Sequence, residues 1–123
     1  AKVMMASGGR MTSPGVVIGS PLSMSPEQAA GTGVLDFRAD LFALATVLYS
    51  CVLGQPPFRG ADFVSTLASI TSGVYEAPTQ ADPQLPRALD AFFARGLAVD
   101  PERRFKNALE LASAFEGAAS GAA

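Results

Sequence analysis

At 123 residues, 49% of them apolar, the chain is long enough for one domain with a real core and too short for two. Leu and Ala together outnumber Val and Ile about threefold, which favours helix over sheet and excludes an all-β domain. Nine basic against eleven acidic side chains, no His and a single Cys exclude a nucleic-acid-binding basic block, an internal disulfide, a zinc cluster and any His-based triad.

Taken in chain order, residues 1–25 carry Gly8, Gly9, Gly15 and Gly19, Pro14 and Pro21, four Met and six hydroxyl side chains. They read as one long irregular segment, with at most a short strand at Val16 to Ile18. The first residue is Ala, and no basic stretch leads into an apolar one as in a secretory signal. Both ends read as cut, so a piece of a longer protein is expected. Ser25 as N-cap with Pro26 behind it predicts a short helix that Gly31 stops.

Leu41 to Gly54 is the most apolar stretch, ended by Gly54-Gln55-Pro56-Pro57. As a helix it spans about 20 Å, short of the ~30 Å of a bilayer core. Being apolar all round, it is expected at the centre of a helical domain, covered on every side. Leu44 and Leu48 are then core residues, and Cys51 is a buried filler with nothing near it to stabilise a thiolate. Asp36 and Asp40, at the start of this helix, are favourable charges at its positive end.

Phe63, Leu67 and Ile70 before Gly73 predict an amphipathic helix, and Leu85, Leu89, Phe92, Phe93 and Gly96 around Pro86 predict another. Asp100-Pro101 has the form of an N-cap followed by Pro at a first helical position. Asn107 and Glu110 have the capping-box spacing ahead of a last helix that ends at Gly117. The remaining Ala118 to Ala123 reads as a low-complexity tail. Gly31-Thr32-Gly33 is no phosphate loop, because the third Gly and the strand-to-helix turn are absent.

Four motifs occur in order: Gly19-Ser20-Pro21 through Ser25-Pro26-Glu27, Asp36-Phe37-Arg38-Ala39-Asp40-Leu41-Phe42-Ala43-Leu44, Gly54-Gln55-Pro56-Pro57-Phe58, and Asp100-Pro101-Glu102-Arg103-Arg104-Phe105. In this order and spacing they resemble a bacterial serine/threonine protein kinase of the eukaryotic-like type, over residues 1–117. Ala1-Lys2-Val3 resembles the residues just after the Asp-Phe-Gly of such kinases. The resemblance implies a mainly α chain, the lower half of the helical C-lobe of a kinase whose two-lobed whole is α+β. Residues 1–28 would be the activation segment and substrate-docking loop, residues 29–117 the helical lobe, and residues 118–123 a tail.

By the same resemblance, the parent would transfer the γ-phosphoryl of ATP to Ser or Thr of protein substrates, with magnesium, in the cytoplasm, and any membrane anchor of that parent would lie outside these residues. The glycine-rich loop, the ATP-positioning Lys, the His-Arg-Asp loop and the Asp-Phe-Gly of the family are not in this sequence. The chain alone is therefore expected to be inactive, without catalytic residues or bound ATP or magnesium, and to need the N-lobe and catalytic loop as partners. A reading from another class is a non-catalytic helical interaction module or a pseudokinase remnant.

The resemblance also assigns roles. Thr12, with Ser13 behind it, falls where these kinases autophosphorylate; from the residues alone, both sit in a solvated loop. Gly19 and Ser20 fall in the substrate-docking loop, although Gly-Ser-Pro is also ordinary turn chemistry. Ser23 departs from the aromatic residue usual there. Glu27 and Arg104, each just a surface charge by spacing, correspond to a buried ion pair of the family. Asp40 corresponds to the residue that anchors the catalytic loop, and Ala45 replaces a Gly common at that point.

Overall fold

The computed structural model describes residues 23–31 and 36–121. The strand expected at Val16 to Ile18, and the candidate residues Thr12, Ser13, Gly19 and Ser20, lie outside them. The described residues form six α-helices and no strand: α1 (Pro26–Ala30), α2 (Phe37–Leu53), α3 (Phe63–Ser72), α4 (Pro78–Ala81), α5 (Ala88–Gly96) and α6 (Ala108–Ala119). A single 3₁₀ turn, Pro101–Arg103, separates the last two. The described residues are thus mainly α, in keeping with part of a helical kinase lobe.

Local chemistry sets most helix ends. At α1, Ser25 Oγ accepts the Gln28 N–H at 3.3 Å while Gln28 Oε1 accepts the Ser25 N–H at 2.8 Å, a reciprocal capping box. Asp36 Oδ1 accepts the Arg38 N–H at 2.9 Å to start α2, and Asp62 Oδ1 accepts the Ser65 N–H at 2.8 Å to start α3. Gly54 and Gly73 close these two helices at φ 81° and 72°, where a Cβ would strain the backbone.

Four local expectations differ from the structure. The short helix α4 is not among the predicted elements; Pro78 opens it, and Gln80 Oε1 accepts the Ala77 N–H at 2.8 Å. Asp100 does cap, but the helix it caps is only the 3₁₀ turn. Asn107 Oδ1 accepts the Glu110 N–H at 2.7 Å, yet the Glu110 carboxylate reaches Lys106 N–H, so the reciprocal half of the box is shifted by one residue. Helix α6 runs past Gly117 to Ala119, because Ala118 is buried in the core and rewards the extra turn.

The core gathers Phe42, Phe58, Ile70, Leu89, Phe93, Leu97 and Leu111, all nearly or fully buried. Helix α5 lies between α2 and α6, with α4 against it, and α1 packs on α3. Helix α5 meets α2 closely at Gly96, where an added Cβ would stand 3.0 Å from that of Ala45. Small residues on both sides let the two helices meet there.

Helix α2 is not covered on every side. It buries Ala39, Leu41, Phe42, Ala43, Ala45, Thr46 and Tyr49, whereas Leu44, Val47 and Cys51 are exposed and Leu48 is half-buried. Leu44, Val47 and Cys51 succeed one another at helical spacing, so they form one uncovered stripe. Leu44 and Cys51, expected inside, are thus on the surface, because no described element lies across that side. No helix among the described residues is long and apolar enough to cross a membrane.

Candidate functional site

Helix α1 is short, so tertiary contacts must hold it: it packs on α3, and a polar contact joins it to the segment after α5. Pro26 and the Ser25 capping box set its first turn, which carries Glu27 outward towards the segment after α5. There the 3₁₀ turn ends on Arg104, whose backbone is extended and whose side chain is fully buried. Arg104 Nη1 and Nη2 each donate to one oxygen of Glu27 at 2.8 Å, forming a bidentate pair between residues 77 positions apart.

The remaining donors of the guanidinium are also engaged. Nε donates to the Ala98 carbonyl at 2.8 Å, Nη1 to that of Arg38 at 3.0 Å and Nη2 to that of Val99 at 3.1 Å. Five N–H groups thus meet five acceptors, the full capacity of an arginine. The Phe42 ring lies 4.8 Å beneath the guanidinium carbon. Burial pushes the Glu27 carboxyl upward, but the hydrogen bonds and charge of Arg104 outweigh it and hold the group below its ordinary value of 4.5. One cation therefore ties α1, the start of α2 and the turn after α5 together.

A second, exposed set of charges lies beside it. The Arg38 guanidinium pairs with Asp36 at 2.8 Å and with Glu102 at 3.1 Å, linking the start of α2 to the 3₁₀ turn just before Arg104. The side-chain hydrogen bonds of Arg38, with its backbone N–H and its charge, hold the Asp36 carboxyl below its usual range. Nothing in composition or spacing pointed to Arg38, although Asp36 and Glu102 on either side of it in space are both cap-type acids.

Of the residues singled out in the sequence, Glu27 and Arg104 are brought together. Asp40 is exposed on α2 and has no hydrogen-bond partner among the described residues. The ion pair orients and anchors; it holds no nucleophile and no proton poised near neutrality. Among the described residues no three His, Cys, Asp or Glu side chains come together to hold a metal ion.

Comparison with known proteins accords with this architecture. No protein-family model matches the chain. It is 37% identical over 111 residues to serine/threonine-protein kinase PknH of Mycobacterium tuberculosis, an alignment covering 90% of this chain and 18% of that protein. PknE of the same organism is 34% identical over 109 residues, covering 89% and 19%. The probable serine/threonine-protein kinase PknB of Bifidobacterium longum is 36% identical over 110 residues, covering 89% and 16%. The chain spans less than a fifth of the length of these curated relatives. Over about nine-tenths of its own length, then, it is homologous to a segment of bacterial serine/threonine protein kinases.

Proposed function

We propose that this chain is the lower helical part of a serine/threonine protein kinase, in which residues 1–28 are the activation segment and the helices from residue 29 onward are its base. The Glu27–Arg104 pair is the observation that carries the reading: a fully buried cation committed to one carboxylate makes α1 a fixed abutment rather than a loose turn. In this reading Glu27 and Arg104 tie the activation segment to the lobe. Asp40 anchors the catalytic loop, Gly19 and Ser20 belong to the substrate-docking loop, where the Ser20 hydroxyl contacts the catalytic Asp and helps accept Ser/Thr substrates, and Thr12, with Ser13 second, accepts a regulatory phosphate.

The chemistry follows from that division of labour. Transfer of the ATP γ-phosphoryl to a Ser or Thr hydroxyl of a protein substrate needs magnesium, a catalytic Asp and phosphate-holding groups. These belong to the N-lobe and catalytic loop of the longer kinase. The 123 residues supply the platform against which substrate and activation segment are held, and they do not phosphorylate peptide by themselves. Their place of work is the cytoplasm, where ATP and protein substrates meet.

The test has two arms. The purified chain, given ATP and magnesium, should phosphorylate a Ser/Thr peptide no faster than buffer, and the same chain joined to its upstream coding sequence should do so readily. Inactivity of the joined protein, with the catalytic Asp or the Asp-Phe-Gly missing upstream, would overturn the enzyme reading in favour of a non-catalytic helical module.

A further inference from the structure

The chain is acidic overall, yet three of its nine basic side chains share one face. Arg87 starts α5, and Arg87, Ala91 and Arg95 recur at intervals of four, which aligns them along one side of the helix. The chain then turns back beside that side. Ala91, Ala94 and Ala98 line an open depression together with Arg95, Val99 and Arg103. Val99 is 46% exposed, so the depression offers aliphatic surface between cations.

Four acids border this face, and each already accepts a hydrogen bond. Asp100, also at the depression, accepts the Glu102 N–H at 2.9 Å, and Glu102 itself pairs with Arg38 at 3.1 Å. Both oxygens of Asp90 accept from Thr79, one of them from its N–H at 3.0 Å. Glu110 Oε1 accepts the Lys106 N–H at 2.6 Å and meets Arg95 only at 3.4 Å, through Nη2. Arg87 and Arg103 have no carboxylate within ion-pair distance among the described residues.

Arg95 is also held in place. Its guanidinium carbon lies 4.3 Å over the Phe105 ring, which fixes the side chain while it stays 43% exposed. A pre-set cation costs a ligand less ordering than a free one.

We infer that this face docks an extended acidic segment of a partner protein, with carboxylates on Arg95 and Arg103 and an aliphatic side chain between them on Val99 and the alanine methyls. Arg87 extends the same charge along α5 for a longer segment. The surface is open, so the interaction is weak and steep in salt.

The 123-residue chain can be titrated with a fluorescent peptide of alternating Glu and Val, read by anisotropy, with backbone amide shifts mapped in parallel. Saturable binding is expected, moving the amides of Ala94, Arg95, Ala98 and Arg103 and weakening several-fold between low and high salt. Arg87→Ala and Arg103→Ala are both at exposed positions and should keep the helical circular dichroism. Each should weaken binding about two- to fivefold, in line with exposed ion pairs. Equal binding of the peptide with Gln for Glu, or unchanged binding by both variants, would overturn the proposal. So would a single-stranded oligonucleotide that moves the same amides at lower concentration.

Discussion

Arg104 and Glu27 meet through two 2.8 Å hydrogen bonds, and the arginine is the fixed partner. Three backbone carbonyls and the face of Phe42 also hold its guanidinium. The carboxylate, on a helix of five residues, is the less constrained of the two. Removing either partner leaves the other charge in a poorly solvated place, at a typical cost of about 3–5 kcal/mol. Because Glu27 is 14% exposed and Arg104 not at all, the two deletions should differ. Arg104→Met strands three carbonyls as well as a carboxylate and should lie at the upper end; Glu27→Gln, which keeps an acceptor, should lie below the range. Denaturant melts of both variants check this, and equal effects would mean the carbonyls contribute nothing.

The same pair predicts acid sensitivity. A carboxyl held below its ordinary 4.5 in the folded chain contributes stability that is complete above that value and disappears as pH falls through the lowered one. Melting temperature measured from pH 7 down to pH 2 should fall steeply below about pH 4.5. The fall should be shallower in Glu27→Gln, since that variant has no proton to take up at this position. Parallel curves would show that other carboxylates carry the acid transition.

Much of the helical frame was legible because its signals are short. Ser25 before Pro26, Gly31, Gly54, Gly73 and the Asn107 cap each act through backbone groups within four residues. Which side of α2 is covered was not legible, since Leu44, Leu48 and Cys51 are as apolar as Leu41 and only the neighbours distinguish them. The cage around Arg104 was illegible for another reason: every residue carries a carbonyl, so Ala98, Val99 and Arg38 bear no mark of the role. No spacing links Glu27 to a residue 77 positions away, and only the resemblance to kinases brought them together in advance. The α5 basic face was not read from the sequence, since Arg95 and Arg103 stand apart in the chain and only the fold brings them to one depression.

The two tyrosines offer a separate probe. Burial, with the nearby charge of Glu76, pushes the Tyr49 phenol upward, and its hydroxyl donates to the Glu76 carbonyl. Burial, with Tyr49 and Asp90 adding to it, pushes Tyr75 up to about 12. A raised phenol contributes stability that is complete below its unfolded value of about 10 and is lost as pH rises through the folded one. Alkaline titration of phenolate absorbance should therefore show no ordinary tyrosine in the folded chain, and two in strong denaturant. A single step near pH 10 for both in the native chain would mean that the Tyr49–Tyr75–Phe58 cluster is open to water.

The uncovered stripe of α2 sets the behaviour of the chain in isolation. Leu44 and Leu48 line an apolar groove with Leu111 and Phe115 of α6, and Leu109, 78% exposed, stands at its edge. Apolar surface of this kind forgoes about 2.5 kcal/mol for every ~100 Å² left bare, a sizeable part of the stability of a small domain. The 123-residue chain should consequently bind a hydrophobic dye and self-associate at micromolar concentration. Leu44→Lys with Leu109→Lys changes two surface positions and buries no charge, so it should cut dye binding and shift sedimentation towards monomer while leaving the melting temperature nearly unchanged. Loss of helix in that variant would show that the groove is internal to the fold rather than exposed. A wild-type chain that sediments as a monomer, binds no dye and melts sharply would show that these helices close their own core and stand as a module without the rest of a kinase.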